Sequence, residues 1–406
     1  MALSLQRYTW WSETTRFTQL LKQRVKKEKE RSMLIVLQKI DHYLPEHVII
    51  EILSRLSVKD LLQFKSVCKS WYAIISDPKF VSKHLKNYND DWCGCLLVQH
   101  YVSHAEILLY ELLVDETPPR VLADEVLYDM PVSCSYICGP CDGLYYVYQY
   151  DSSCRALWNP AINEFKVFPD IICKPHLPAN FTYFPYEVFG FGFDHVTGDY
   201  KVVVVKSYSN INGNNSDLKH PPSVLVYSLR TNSWRYCGDL AKAYHLEYNK
   251  CYIYVNGCCY WFGSFEYYSS EVIISFDMAD DSFKEIDVPD YTQPSYKCLA
   301  VYDDSLAFLS LHETNRNFQI WTLSKGSSWS KKFNVGPLPA VRRPVGHWKG
   351  NRLVLQFEDG TLVLFDPDTK ETKDLGFKNK MPCQGVFAYI ESLVSIEDKE
   401  TTHPAA

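Results

Sequence analysis

The stretch 256–286, NGCCYWFGSFEYYSSEVIISFDMADDSFKEI, decides how this chain folds. Asn256-Gly257 is a tight-turn dipeptide, because both residue types tolerate the positive φ that two-residue hairpins need. An apolar strand follows, then a short loop, then a second strand ending in Ser275-Phe276-Asp277. A tight turn returns the chain as Phe283 to Ile286. The same ending, built on a central aromatic, recurs as Leu109-Tyr110-Glu111, Leu157-Trp158-Asn159, Val226-Tyr227-Ser228, Ile320-Trp321-Thr322 and Leu364-Phe365-Asp366. Most are followed by an apolar return strand: Phe165 to Phe168, Trp234 to Tyr236, Trp329 to Phe333. Upstream turns stand at Asp142-Gly143, Gly198-Asp199, Asp304-Ser305 and Lys349-Gly350.

The central aromatics are spaced by 48, 69, 49, 45 and 44 residues. A β-rich period of about 45–50 is the sequence signature of propeller blades, each of which buries its faces only against its neighbours. Six instances over residues 96–396 predict an all-β, kelch-like propeller of six blades. The last strand, around Val386 to Ile390, would complete the first blade and close the ring, removing free sheet edges. A β-sandwich with irregular spacing is the competing arrangement. The long interval comes from Ser207–Pro222, SYSNINGNNSDLKHPP, whose Asn, Ser, Gly and Pro content reads as a loop. Long loops on a rigid scaffold are where binding tends to sit.

Composition narrows the function classes. The 406 residues are 46% hydrophobic and 22% charged, which excludes a disordered or collagenous chain. The 15% aromatic content leans toward pleated structure. No apolar run approaches the roughly 20 residues of a spanning helix, and no secretory signal is visible. The 14 cysteines are therefore expected to be free thiols of a reducing compartment, and the sequons at Asn180 and Asn214 carry no weight. Residues 1–31 hold eight Lys/Arg and three Glu, a net of +5; against −6 for the whole chain, this leaves −11 for the remainder. An acidic body argues against a nucleic-acid surface and favours a basic partner.

Residues 43–86 read as three short helices. Leu44-Pro45 opens the first, with Ile49, Ile52, Leu53 and Leu56 at helical spacing. Ser57-Val58-Lys59-Asp60 resembles a capping box and starts a second, whose apolar face runs Leu61, Phe64, Cys68, Trp71, Ile75. Asp77-Pro78 breaks it, and Phe80, Val81, His84 and Leu85 belong to a third. So small a core leans on a partner or neighbour. Ahead of it, the basic residues 1–42 form an extension expected to be helical or disordered, and residues 397–406 a flexible tail.

Catalytic signatures are sparse. Cys138-Gly139-Pro140-Cys141 spells a redox motif, but it precedes a turn and a strand rather than a helix, so the expected reading is a blade-entry turn with small buried thiols. One C-x-x-C does not make a zinc site, and His100 and His104 do not share a helix face. There is no P-loop, nucleophile elbow or H-E-x-x-H. No catalytic residue, metal or cofactor is expected.

Residues 44–85, LPEHVIIEILSRLSVKDLLQFKSVCKSWYAIISDPKFVSKHL, resemble an F-box. Downstream, Cys141–Leu144 (CDGL), Trp158–Ala161 (WNPA), Gly190–Asp194 (GFGFD), Asp199–Val203 (DYKVV) and Ser275–Met278 (SFDM) resemble the plant F-box-associated domain, and within it the S-locus F-box and S-locus F-box-like group. The resemblance implies an α+β multidomain chain: an F-box over 43–88 and a propeller over 96–396. It implies a non-catalytic substrate receptor of an SCF-type ubiquitin ligase, cytoplasmic and also nuclear. Its F-box would bind a Skp-type adaptor, and through it cullin and a RING subunit. Its β domain would hold a protein, in the sharpest version a basic S-RNase, near the conjugating enzyme. Carried onto this sequence, the adaptor-facing residues are Leu44, Pro45, Ile49, Leu53, Leu56, Val67 and Trp71. Substrate-facing candidates are Asn210, Asn212, Asn214 and Asp217 in the long loop, with Asp280, Asp281, Asp303 and Asp304 second. Two other functions compete: a glycan-binding module stacking sugars on aromatics such as Tyr267-Tyr268, and an oxidoreductase on a kelch-like propeller.

Overall fold

The computed structural model of the chain describes residues 45–90, 95–101, 105–111, 120–123, 136–149, 154–172, 181–210, 220–247, 253–265, 270–290, 296–312, 314, 316–324, 328–338, 340–348, 352–378 and 383–397. It divides into two compact units, Met1–Asp90 and Asp91–Ala406.

The described part of the first unit holds four helices: α1 (Glu46–Leu53), α2 (Val58–Phe64), α3 (Lys69–Ser76) and α4 (Pro78–Asp90). The sequence spacing predicted three. The expected second helix is interrupted before Lys69, where Cys68 is extended (φ −159, ψ 166) and caps α3 by accepting the Trp71 N–H on its Sγ. The interruption has a packing reason. Seven residues along one helix span about 10.5 Å, yet the Phe64 and Trp71 rings meet edge-on at 5.5 Å. The predicted cap of α2 is present: Ser57 Oγ accepts from the Asp60 N–H and donates to Asp60 Oδ2. Ile49, Leu53, Val58, Leu61, Phe64, Val67, Trp71, Ile74, Ile75 and Phe80 form the core.

The second unit is all β. Its described strands form six antiparallel sheets, numbered here in chain order. Five have four strands, in sequential order in all but sheet 1. Sheet 2 is 136–141, 144–149, 154–159 and 164–167; sheet 3 is 181–194, 199–210, 223–228 and 233–239. Sheet 5 is 296–302, 305–311, 318–323 and 329–335; sheet 6 is 341–348, 352–357, 361–365 and 372–378. Sheet 1 takes its first strand, Cys383–Tyr389, from the far end of the chain and pairs it with Cys95–Tyr101, followed by 105–111 and 120–123. Sheet 4 departs from the pattern with five strands. Its first strand is split into His245–Leu246 and Ile253–Val255, both paired to Cys258–Phe265, which 270–277 and 283–287 follow. Uniform hairpin motifs gave no sign of this split.

Each hydrophobic cluster joins two consecutive sheets. Leu97 and Tyr389 of sheet 1 pack with Tyr145 and Trp158 of sheet 2. The series continues through sheets 2 and 3, 3 and 4, 4 and 5, and 5 and 6. Leu96, Val98 and Val386 then return from sheet 6 to sheet 1. Last strands carry Lys166, Arg235, Lys284, Lys331, Lys332 or Lys373, charges that discourage edge pairing with other chains.

Ser207–Asn210, expected in the loop, are strand. Asn210, Ser209 and Tyr208 pair with Phe181, Thr182 and Tyr183, and Tyr208 is fully buried. Aromatic anchoring extends this hairpin past its neighbours in spite of the polar composition around it.

Candidate protein-interaction surfaces

Antiparallel connectivity gives each sheet two ends. In sheets 2 to 6, strands one and two, and three and four, join at the turn end, and strands two and three join at the loop end.

The family-like motifs lie mostly at turn ends, where they lock neighbouring sheets. In the CDGL motif, Asp142 (φ 53) and Gly143 (φ 78) make the sheet 2 turn. A Cβ on Gly143 would lie 2.6 Å from the Ile390 carbonyl oxygen, so only glycine lets the C-terminal segment pass. In WNPA, the fully buried Asn159 donates from Nδ2 to the carbonyls of Ser392 (3.1 Å) and Val394 (2.8 Å). Glu164 accepts from the Ile396 N–H at 2.7 Å. In GFGFD and DYKVV, buried Asp194 takes Lys201 Nζ at 2.8 Å, and Lys201 also donates to the Met278 carbonyl at 2.6 Å. Burial opposes ionisation of Asp194, but Lys201 and the Thr197 and Val196 donors outweigh it and hold the carboxyl at about 2. Gly190 and Gly192 leave room for Cys259, Trp261 and Tyr254 of sheet 4.

The substrate-facing candidates fall at opposite ends. Asn210 closes a strand at the loop end of sheet 3; Asn212, Asn214 and Asp217 lie outside the described residues, as do Tyr267 and Tyr268. Asp280, Asp281, Asp303 and Asp304 occupy turn ends of sheets 4 and 5. Asp281 pairs with Lys201 and Arg235. Asp280 is exposed and accepts the Ser282 N–H. Its pKa is lowered, with the Ser282 hydrogen bonds the main cause. Asp303 and Asp304 (φ 51 and 50) form a turn, and Asn256 Nδ2 donates to the Asp304 carbonyl at 2.8 Å.

The helical unit redistributes the adaptor-facing set. Leu44 lies outside the described residues. Ile49, Leu53, Val67 and Trp71 are core side chains, at most 4% exposed. Pro45 is exposed and Leu56 half-buried. The large apolar side chains that do face solvent are Ile52 (49%), Leu62 (38%) and Tyr72 (57%), one on each of the first three helices. Sequence reasoning missed them because each sits beside a core residue, and periodicity alone does not say which of two adjacent apolar residues turns inward.

The helices are tied by Glu51, which accepts from Arg55 (2.9 Å) and Lys83 (2.5 Å), and by buried His84, whose Nε2 meets the Leu56 carbonyl at 2.8 Å. Burial lowers the His84 pKa, with the Leu56 contact opposing. The fold favours neutral His84, so its contribution is complete above the ordinary value of about 6.5 and is lost as pH falls toward the lower folded value. The protection factors of the α4 amides, their exchange rates taken against the intrinsic rates at each pH, should therefore fall from pH 7.5 to 5.5, and His84→Gln should flatten that change. Equal pH dependence in both proteins would contradict the assignment.

Burial pushes the Cys138 thiol up to about 12 and Cys141 well above its ordinary value, and both sit in a strand. They lack the exposed, electropositive setting of redox cysteines. Among the described residues, no group of three or more His, Cys, Asp or Glu is placed to hold a metal ion, and no helix is long and apolar enough to cross a membrane.

The described chain thus carries a small helical module with exposed apolar side chains, followed in sequence by six mutually packed sheets. A family model for the F-box associated beta propeller domain matches residues 116–396, and one for the F-box domain matches residues 42–83. The chain belongs to the F-box-associated β-propeller family, with an F-box ahead of the propeller. Its relatives include an Arabidopsis thaliana F-box protein, 27% identical over 73% of this chain and 76% of that one. A second F-box protein of that plant is 25% identical over 88% and 85%. An F-box/kelch-repeat protein of the same plant is 26% identical over 88% and 97%.

Proposed function

We propose that this chain is the substrate-recognition subunit of an SCF-type ubiquitin ligase. On this reading the F-box docks on a Skp-type adaptor, which links it to cullin and the RING subunit. The propeller holds a target protein for ubiquitination, and the receptor contributes proximity rather than bond chemistry. The observation that carries the reading is the outward set Ile52, Leu62 and Tyr72 on the F-box, apolar side chains of the kind that a partner covers. The narrower assignment, an S-locus-type receptor that takes a basic S-RNase, draws on the shared motifs and on the −11 charge outside residues 1–31.

Co-purification with adaptor and cullin tests the reading. Replacing Ile52 and Tyr72 with Asp should weaken adaptor binding at least tenfold while the thermal transition of the propeller stays in place. Undiminished binding would move the docking surface elsewhere. Failure of the unaltered chain to bind any adaptor would remove the ligase role itself. Among captured proteins, basic ribonucleases would support the S-locus version, and their absence would count against it.

A further inference from the structure

We propose that residues 33–37, MLIVL, cover the outward side chains of Ile52, Leu62 and Tyr72 when the chain is unbound. These three face solvent on α1, α2 and α3, and each adjoins a core residue in sequence: Leu53, Leu61 and Trp71 respectively. Neighbours on a helix point about 100° apart. Each of the three therefore stands at the margin of the shared core rather than on the far side of its helix. A core built on helices of eight, seven and eight residues is small, and large apolar side chains left at its margin are the kind of surface that another segment covers.

Composition and reach name the occupant. Met33, Leu34, Ile35, Val36 and Leu37 lie outside the described residues and are five consecutive large apolar side chains, a run of the length that folded chains bury. Eight residues separate Leu37 from Glu46, the first residue of α1. Fully extended, that tether spans about 30 Å. Ile52 stands only about 9 Å along α1 from Glu46. Pro45 is extended (φ −58, ψ 143), so α1 starts at Glu46 and the tether is free of its helical path. So short a tether holds the run near the helices at an effective concentration on the order of millimolar, well above that of a second copy in dilute solution. The cover stands on the surface and the tether alone. That an adaptor must displace it rests on the ligase reading.

The test is hydroxyl-radical footprinting of the full chain in dilute solution, read by mass spectrometry. Ile35→Asp with Leu37→Asp should raise the modification of Leu62 and Tyr72 several-fold. These positions precede the F-box match at residues 42–83, so the helices should keep their circular dichroism. Reciprocally, hydrogen peroxide should oxidise Met33 several-fold faster in Ile52→Asp with Tyr72→Asp than in the parent. Unchanged modification of Leu62 and Tyr72 would overturn the proposal, as would Met33 oxidation indifferent to Ile52 and Tyr72. Protection that vanishes on dilution would overturn it in favour of a second copy. Once uncovered, the Ile35→Asp, Leu37→Asp chain should bind the adaptor about tenfold more tightly than the parent. Raised footprints with unchanged adaptor affinity would uphold the cover and place adaptor docking elsewhere.

Discussion

Deleting residues 383 onward should leave a β unit that does not unfold cooperatively and that aggregates. The deletion removes the first strand of sheet 1, so Cys95–Tyr101 loses one of its two partners. It also uncovers Leu96, Val98 and Val354, all at most 1% exposed in the intact ring. A long apolar open edge is a template for association between chains. A shorter deletion, from Glu391 onward, separates strand from strap. The closing strand survives, with Tyr145 still donating to the Ala388 carbonyl at 2.9 Å. The buried side chains of Leu393 and Ile396 are lost, and Asn159 loses both acceptors. Each apolar side chain contributes about 1.5–3 kcal/mol and the orphaned amide about 1–3 kcal/mol. The conformational entropy of holding the strap offsets much of this. A net loss of about 3 kcal/mol is expected, read as a lower transition temperature by calorimetry. A normal transition in the longer deletion would show that sheet 1 does not close the ring.

The second large effect is expected at Lys201. It is 6% exposed and serves Asp194, Asp281 and the Met278 carbonyl, so it joins sheet 3 to sheet 4. Lys201→Met would strand the fully buried Asp194 carboxylate without its cation. Breaking a buried pair from one side typically costs about 3–5 kcal/mol, whereas removing both charges is far milder. The single variant should lose on the order of 10 °C in transition temperature, and adding Asp194→Asn should restore part of it. The acid limb has a defined sign. With Asp194 held at about 2 in the fold, its contribution is present above the ordinary carboxylate range and is lost as pH falls through about 2. In Lys201→Met that loss should begin at higher pH. A single variant within 1 kcal/mol of the parent would show that the lock is dispensable.

What could be seen from sequence divides along physical lines. Asp142-Gly143 and Asn256-Gly257 declare hairpins because turn chemistry is local, and strands flanking such turns repeat visibly. Lys201 was opaque. In the run Asp199–Val205 it looks like an ordinary outward residue, and its burial depends on Asp281, eighty positions later. The F-box break at Cys68 was equally hidden, because the spacing of Phe64, Cys68 and Trp71 fits one continuous helix. The direction in which apolar and acidic side chains face was least legible. Ile49 and Leu53 match the family pattern yet turn inward, while Ile52 between them faces out, a choice made by the other helices. The acidic pairs are substrate-facing candidates by charge alone, and the commitment of Asp281 to Lys201 and Arg235 is set by residues distant in sequence.

Closure of sheet 1 by Cys383–Tyr389 also sets an order of events during synthesis. Cys95, the partner of Tyr389, is made about 290 residues before it. At roughly 5–20 residues per second, that interval lasts roughly 15–60 s. The helices through Asp90 are complete when it begins, whereas the ring cannot seal until it ends. The nascent chain therefore passes through a period in which its helical unit has been made and its β unit still has an open seam with unpaired strand edges.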